Sequence, residues 1–228
     1  MERIYDCSVD TDLLTGMRLA KAALGRKELA VIPTDTVYGL ACDAFSHEGV
    51  KKLLEAKGRD RAAPPPVLIG NSAALEGLAQ QIPQLAYKLA ETFWPGALTM
   101  ILKAQPSLTW DLGETKGTVA LRMPDHKIAL ALLQETGPLA VSSANLTGEP
   151  AATTCQQAEI ALGAKVKVYL DGGASPKGEA STIVDMTGLA DGVSESGEIV
   201  TTGKVRIVRR GALSQQKLAT VLGEFLEG

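Results

Sequence analysis

Two histidines and three cysteines are all the imidazoles and thiols that 228 residues offer. His47 and His126 cannot make a His-rich metal cluster, and each lies in a polar, turn-like context that suits a catalytic triad poorly. Cys7, Cys42 and Cys155 are odd in number, far apart and without a Cys-x-x-Cys pair. Neither a disulfide framework nor a zinc site is expected, and the three read as reduced, mostly buried thiols. Aromatic residues make up only 4% of the chain and the net charge is −3, which argues against a broadly basic nucleic-acid binder but leaves room for a local basic cleft. No uninterrupted apolar run approaches the roughly 20 residues needed to span a bilayer. The opening Met1-Glu2-Arg3-Ile4-Tyr5-Asp6 has no basic start leading into an apolar stretch, so no signal peptide is read and a cytoplasmic location is expected. The Gly-x-x-x-x-Gly-Lys-[Ser/Thr] loop and the Gly-x-Ser-x-Gly elbow are both missing, and Gly172-Gly173 is too slight to be a dinucleotide loop.

What the chain does have is regular alternation. Asp10 or Thr11 can cap a first helix whose apolar positions Leu13, Met17, Ala20 and Leu24 keep helical spacing, with Leu14 widening the stripe. Ser46 precedes a helix carrying Val50, Leu53 and Leu54, and Thr154 with Gln157 makes a capping box for another. Further helices are expected at 72–80, 83–93 and 128–134, and a last one carries Leu218, Val221, Leu222 and Phe225. Short apolar strands are expected at 3–5, 29–33, 66–70, 98–103, 118–123, 139–142, 166–170 and 182–185, with a hairpin of 197–201 and 204–208 around Thr202-Gly203. No linker of domain-boundary quality interrupts them, so residues 1–228 read as a single α/β domain on a mixed sheet.

The chemistry concentrates where strands end. The run Ala30-Val31-Ile32 gives way at Pro33 to Thr34-Asp35-Thr36-Val37-Tyr38-Gly39, a change from buried strand to polar loop. Ligands of α/β sheets gather at such ends, although an ordinary strand-to-helix turn would look the same. Ser142-Ser143-Ala144-Asn145 follows another strand and Ser181-Thr182 opens a third. Any one cluster can be a cap or turn; together they offer hydroxyls and an amide to a phosphate or an amino-acid carboxylate. Lys57-Gly58-Arg59-Asp60-Arg61 at a helix end can either offset the dipole or clamp polyphosphate. Arg122, inside the otherwise apolar Thr118-Val119-Ala120-Leu121-Arg122-Met123, is either on a solvated face or held for an anion, and Arg209-Arg210 pose the same choice. These residues support an α/β enzyme binding an anionic ligand.

An ordered set of motifs goes further. Pro33-Thr34-Asp35-Thr36-Val37-Tyr38-Gly39-Leu40, Lys57-Gly58-Arg59, Trp94-Pro95-Gly96, Thr118 to Pro124, Ser143-Ala144-Asn145, Ser181-Thr182-Ile183-Val184-Asp185 and Arg209-Arg210-Gly211 together resemble the threonylcarbamoyl-AMP synthase (YrdC-like) family over nearly the whole chain. The resemblance implies a twisted, largely parallel sheet flanked by helices, with an open, positively lined concave face. It implies synthesis of threonylcarbamoyl-AMP and pyrophosphate from L-threonine, bicarbonate and ATP, with Mg²⁺ on the ATP phosphates and no protein ligands to a metal. The product would pass to a separate transferase that modifies tRNA to N6-threonylcarbamoyladenosine.

Carried over position by position, Lys57, Arg59, Ser143 and Asn145 match elements around the nucleotide phosphates, Lys57 and Arg59 in the catalytic electrostatic role. Thr118 and Arg209 match positions near the nucleotide, and Thr34, Arg122 and Ser181 positions near threonine. The chain departs from the family at Asp60-Arg61-Ala62-Ala63-Pro64-Pro65, and no contact is assigned to 62–68. It also ends too soon for the carboxyl-terminal domain of longer members. The alternative that the resemblance allows is a non-catalytic protein binding double-stranded RNA or tRNA. The acidic balance and only nine Phe, Trp and Tyr residues weigh against it. A third reading, a sugar-phosphate lyase, lacks the carboxylate and His cluster that metal-assisted enolisation wants.

Overall fold

The computed structural model of the protein describes residues 3–227. Along them run strands β1 (Ile4–Asp6), β2 (Ala30–Ile32), β3 (Gly39–Asp43), β4 (Val67–Leu68), β5 (Leu98–Lys103), β6 (Thr118–Arg122), β7 (Leu139–Ser143), β8 (Val168–Asp171), β9 (Thr182–Asp185), β10 (Ala190–Val193), β11 (Ile199–Thr202) and β12 (Arg206–Arg209). The α-helices are α1 (Asp10–Gly25), α2 (His47–Lys57), α3 (Ala74–Leu78), α4 (Gln84–Phe93), α5 (Lys127–Thr136), α6 (Cys155–Leu162) and α7 (Gln215–Leu222). Ten strands form one sheet in the order β1-β8-β2-β3-β7-β4-β6-β5-β9-β12, and β10 with β11 stands apart as a hairpin. The sheet is mixed: four neighbouring pairs run parallel and five antiparallel.

Period-2 alternation sorts the strand residues onto two faces. Val31, Leu40, Cys42, Leu98, Met100, Leu102, Val119 and Leu121 point to a core shared with α2, α4, α6 and α7. Ala30, Ile32, Ala41, Val168 and Leu170 point the other way, onto Ala20 and Leu24 of α1 and Ile128 and Leu132 of α5. Gly16 lets α1 lie close to the sheet, since a Cβ there would sit 2.7 Å from the Tyr5 Cβ. The second core takes in no residue of β5, β6 or β9. At that end of the sheet the same face carries Thr99, Ile101, Thr118, Ala120, Arg122 and Ile183, which line an open cleft. This is the concave face that the family resemblance implies.

Local chemistry explains most boundaries. Ser46 Oγ accepts the Gly49 N–H, and Gly58, at φ +62°, ends α2 in the left-handed region and redirects the chain into Arg59. The capping box at Thr154 is present in both halves, and all three cysteines are free and buried.

Four expectations are corrected. Val9, not Asp10 or Thr11, precedes the first helix and gives no side-chain cap; Asp10 and Asp12 instead sit in the first turn, where their charge suits the dipole. Leu14 is 72% exposed and lies outside the buried stripe. No strand is expected at 39–43, yet the loop after β2 leads to β3, antiparallel to β2, and the alternative of a strand-to-helix turn drops out. The chain 197–208 is not one hairpin: β11 folds back on β10, pairing Val193 with Ile199, while β12 joins β9. Gly203 is the crossing point, where a Cβ would lie 2.1 Å from Gly188 O, so Thr202-Gly203 carries the chain from one pairing to the next.

Candidate active site

The open face forms a cleft of about 310 Å³, within the range of small-molecule sites. Of the residues singled out from sequence, Thr34, Arg59, Thr118, Arg122, Ser143, Ser181 and Arg209 all line it. They come from the β2–β3 loop, the exit of α2, β6, the end of β7, the residue before β9 and the end of β12. Among the described residues no Asp or Glu side chain lines this cleft. Three guanidiniums therefore reach one cleft, with the carboxylate of Asp35 behind Arg122 rather than on the lining. Partial burial, then the charges of Arg122 and Arg59, push the Arg209 guanidinium below its ordinary value. Burial does the same to Arg59, with Asp60 opposing it. Such crowding of like charge is relieved by an anion.

Each guanidinium is aimed by hydrogen bonds. Arg59 Nη1 donates to Ser142 Oγ at 3.1 Å. Arg209 donates from Nε and Nη2 to Ser181 O at 3.1 and 2.7 Å and from Nη2 to Ser181 Oγ at 3.1 Å. Ser181 Oγ also lies 2.8 Å from Thr99 Oγ1 on the cleft floor. Thr118 Oγ1 donates to Thr115 O at 2.7 Å.

Arg122 is the most tightly held. Only 6% exposed, it donates from Nε to Gly96 O at 2.9 Å, from Nη1 to Thr36 Oγ1 at 2.9 Å and from Nη2 to Asp35 Oδ1. The Trp94-Pro95-Gly96 motif thus serves the site through its backbone carbonyl. Thr34 Oγ1 donates to Val37 O at 2.7 Å and lies 3.0 Å from Thr36 Oγ1. Since the one Thr34 proton goes to Val37, Thr36 donates to Thr34, and a chain runs from Arg122 through Thr36 and Thr34 to the backbone. Asp35 also accepts the Asp125 N–H at 3.1 Å on Oδ1 and Lys177 Nζ at 2.8 Å on Oδ2. Burial pushes this carboxyl up, but Arg122, Lys177 and the Asp125 N–H outweigh burial and hold it below its ordinary value.

Lys57 and Asn145 stand behind the wall rather than on it. Lys57, 3% exposed, donates from Nζ to Ser143 O at 2.5 Å and Asn145 O at 2.7 Å, with Asn145 Oδ1 at 3.4 Å. Asn145 Nδ2 donates to Leu146 O and Glu149 O at 2.8 and 2.7 Å. Together they shape the turn that presents Ser143. Arg61 pairs with Asp111 at 2.6 Å away from the cleft, and Arg210 donates to Gln215 Oε1 at 2.5 Å.

Burial, reinforced by the Arg59 charge, pushes the Lys57 ammonium down to about 8 from 10.5. Folded protein then binds fewer protons than unfolded chain between those values, so this lysine makes stability rise with pH across that window. Lys57→Met will lose that rise, narrowing the stability gained between pH 8 and 10.5 by about 2–3 kcal/mol in urea unfolding. Equal pH slopes in the two proteins would place the ammonium in an ordinary environment.

Residues that sequence reasoning left out also matter. Ala63, Pro64, Pro65, Pro66 and Leu68 form an apolar rim, from the loop to which no contact was assigned. Asp35 and Lys177 had no role. The signal for Asp35 was a lone carboxylate between two threonines before an apolar strand; nothing local marks Lys177.

Comparison with known proteins identifies the family. The family model Sua5_yciO_yrdC, described as "Telomere recombination", matches residues 22–211. A Mycobacterium leprae relative is 45% identical over 223 residues, covering 98% of this chain and 95% of its own length. A Bacillus subtilis protein named threonylcarbamoyl-AMP synthase is 37% identical over 206 residues, covering 90% of this chain, which spans 56% of that longer protein. The solved structure of Pyrococcus abyssi Sua5 complexed with L-threonine superimposes with a TM-score of 0.85 at 31% identity, over 99% of this chain and 63% of that one. The chain belongs to the Sua5/YciO/YrdC family.

Proposed function

We propose that the protein is an L-threonylcarbamoyladenylate synthase, joining L-threonine, bicarbonate and ATP into threonylcarbamoyl-AMP with release of pyrophosphate. The observation that carries this reading is the convergence of Arg59, Arg122 and Arg209 on one cleft that no carboxylate lines among the described residues. A site of that kind suits two anions, a triphosphate and an amino-acid carboxylate, held side by side.

The threonine amine combines with bicarbonate to give a carbamate and water. A carbamate oxygen then attacks the α-phosphorus of ATP, and the bond to the β,γ-pyrophosphate breaks. Neither step needs a protein nucleophile. Positioning and charge neutralisation suffice. Arg59 and Arg209 face the nucleotide with Thr118 and Ser143, neutralising charge that grows on the leaving pyrophosphate. Lys57 and Asn145 hold the turn that carries Ser143. Arg122 takes the threonine carboxylate through its remaining N–H groups, with Thr34 and Ser181 beside it. The apolar rim at 63–66 limits water, which suits a labile carbamate. With no carboxylate on the lining among the described residues, these residues do not fit a protein-held Mg²⁺; the ion belongs to this reading only as the companion of ATP, and no step is assigned to it. The product is passed to a separate transferase for N6-threonylcarbamoyladenosine formation in tRNA.

Pyrophosphate release will require ATP, L-threonine and bicarbonate together. An unchanged rate without threonine sinks the reading. Steep, salt-dependent RNA binding with no ATP turnover would put the RNA-binding alternative in its place.

A further inference from the structure

Residues 172–180 connect β8, which lies beside β2, to β9, which lies beyond β5 at the other end of the sheet. They therefore carry the chain across the sheet from beside Pro33, which Gly172 meets, to β9, and at their end Ala180 joins the cleft lining. Residues 172–180 contain no helix or strand of their own and form a strap. It is tied by Tyr38 Oη donating to Gly173 O at 2.5 Å, by Ser175 N donating to Thr153 O at 2.8 Å and by Lys177 Nζ on Asp35 Oδ2 at 2.8 Å. The last tie joins a side chain 39% exposed to one only 3% exposed. It reaches the carboxylate whose other oxygen holds Arg122.

Asp35 and Arg122 by themselves form a neutral pair, and a neutral pair gives an incoming anion little net attraction. Lys177 adds a second cation on the far oxygen, so the three groups carry a net charge of +1 beside the cleft. We propose that Lys177 is a positioning residue which acts through Asp35, keeping the strap against the Thr34–Asp35 wall and leaving the Asp35–Arg122 pair with the positive charge that draws an amino-acid carboxylate. This rests on Arg122 being the carboxylate's partner.

The test is a charge series, Lys177→Arg, Lys177→Gln and Lys177→Glu, with steady-state pyrophosphate release and calorimetric L-threonine binding measured beside the unaltered protein. Lys177→Gln will raise the KM for threonine about fivefold, Lys177→Glu more, and Lys177→Arg less than about twofold, the scale of one partly exposed ion pair. The KM for ATP and kcat will stay within about twofold, because Lys177 touches neither the nucleotide side nor the reacting atoms. The proposal fails if Gln, Glu and Arg give the same threonine KM. It fails too if Arg is as poor as Gln, or if both substrates and kcat shift together, since either outcome describes a structural prop. Should the unaltered protein neither turn over nor bind threonine, the synthase reading itself fails and takes this proposal with it.

Discussion

Arg59→Ala will fold with nearly unchanged stability and release pyrophosphate about 10²–10³-fold more slowly at saturating ATP and threonine, the usual consequence of removing one preorganised charge from a developing anion. Arg59 is partly exposed, follows the left-handed Gly58 that ends α2, and makes one side-chain hydrogen bond, to Ser142 Oγ. Its removal leaves Ser142 near solvent in the cleft and empties no core, so the expected change in melting temperature is small. The catalytic loss is large because Arg59 presents its charge on a lining that, among the described residues, holds no carboxylate to offset it. Loss confined to kcat, with the KM for ATP little changed, would mean that the contact strengthens in the transition state. Turnover within tenfold of the unaltered protein removes Arg59 from the phosphate side of the mechanism.

Lys57 shows where residue type and motif stop being informative. Lys57-Gly58-Arg59 reads as a two-cation clamp, and one position beyond a helix end decides which cation lines the cleft. Gly58, in the left-handed region, swings Arg59 into the cleft, while Lys57 stays on the buried face of α2 and donates to the carbonyls of residues 143 and 145. Element type was legible wherever periodicity and caps agreed, as at Ser46, Gly58 and Thr154. Pairing was not: 197–201 and 204–208 carry equally good strand patterns, and only the sheet decides that one joins β10 and the other β9. The alternation Thr99-Met100-Ile101-Leu102 and Thr118-Val119-Ala120-Leu121-Arg122 does hold the cleft floor in plain view, as a face that is small or polar except at Ile101 opposite an apolar one. Knowing that no helix would cover that face needed the strand order. Arg122 had been a choice between solvent and anion. The fold answers with a third arrangement, a buried cation given a protein carboxylate on one edge, with two N–H groups unused among the described residues.

Asp35→Asn therefore tests the centre of the site. It keeps the shape of the side chain and removes the counter-charge of an arginine that is 6% exposed. Breaking one side of a buried pair leaves the other charge uncompensated, at a cost of about 3–5 kcal/mol, and the loss will be read directly by urea unfolding near neutral pH. The pH dependence separates charge from packing. Asp35 is held below 3.8 in the folded protein, so its contribution is present at every pH above that value and is lost as pH falls through the lower folded value. The gap between the unaltered protein and Asp35→Asn will widen slightly as pH falls through the range of His126, whose protonation the Asp35 charge favours, and close below pH 4. A gap that persists in acid would assign the loss to the geometry of the amide rather than to charge. Pairing the change with Arg122→Met supplies the second arm: with no buried cation left to orphan, Asp35→Asn on that background will cost well under the single change. If the two losses simply add, Arg122 does not depend on Asp35, and the loop that carries Thr34, Asp35 and Thr36 is held by its own hydrogen bonds alone.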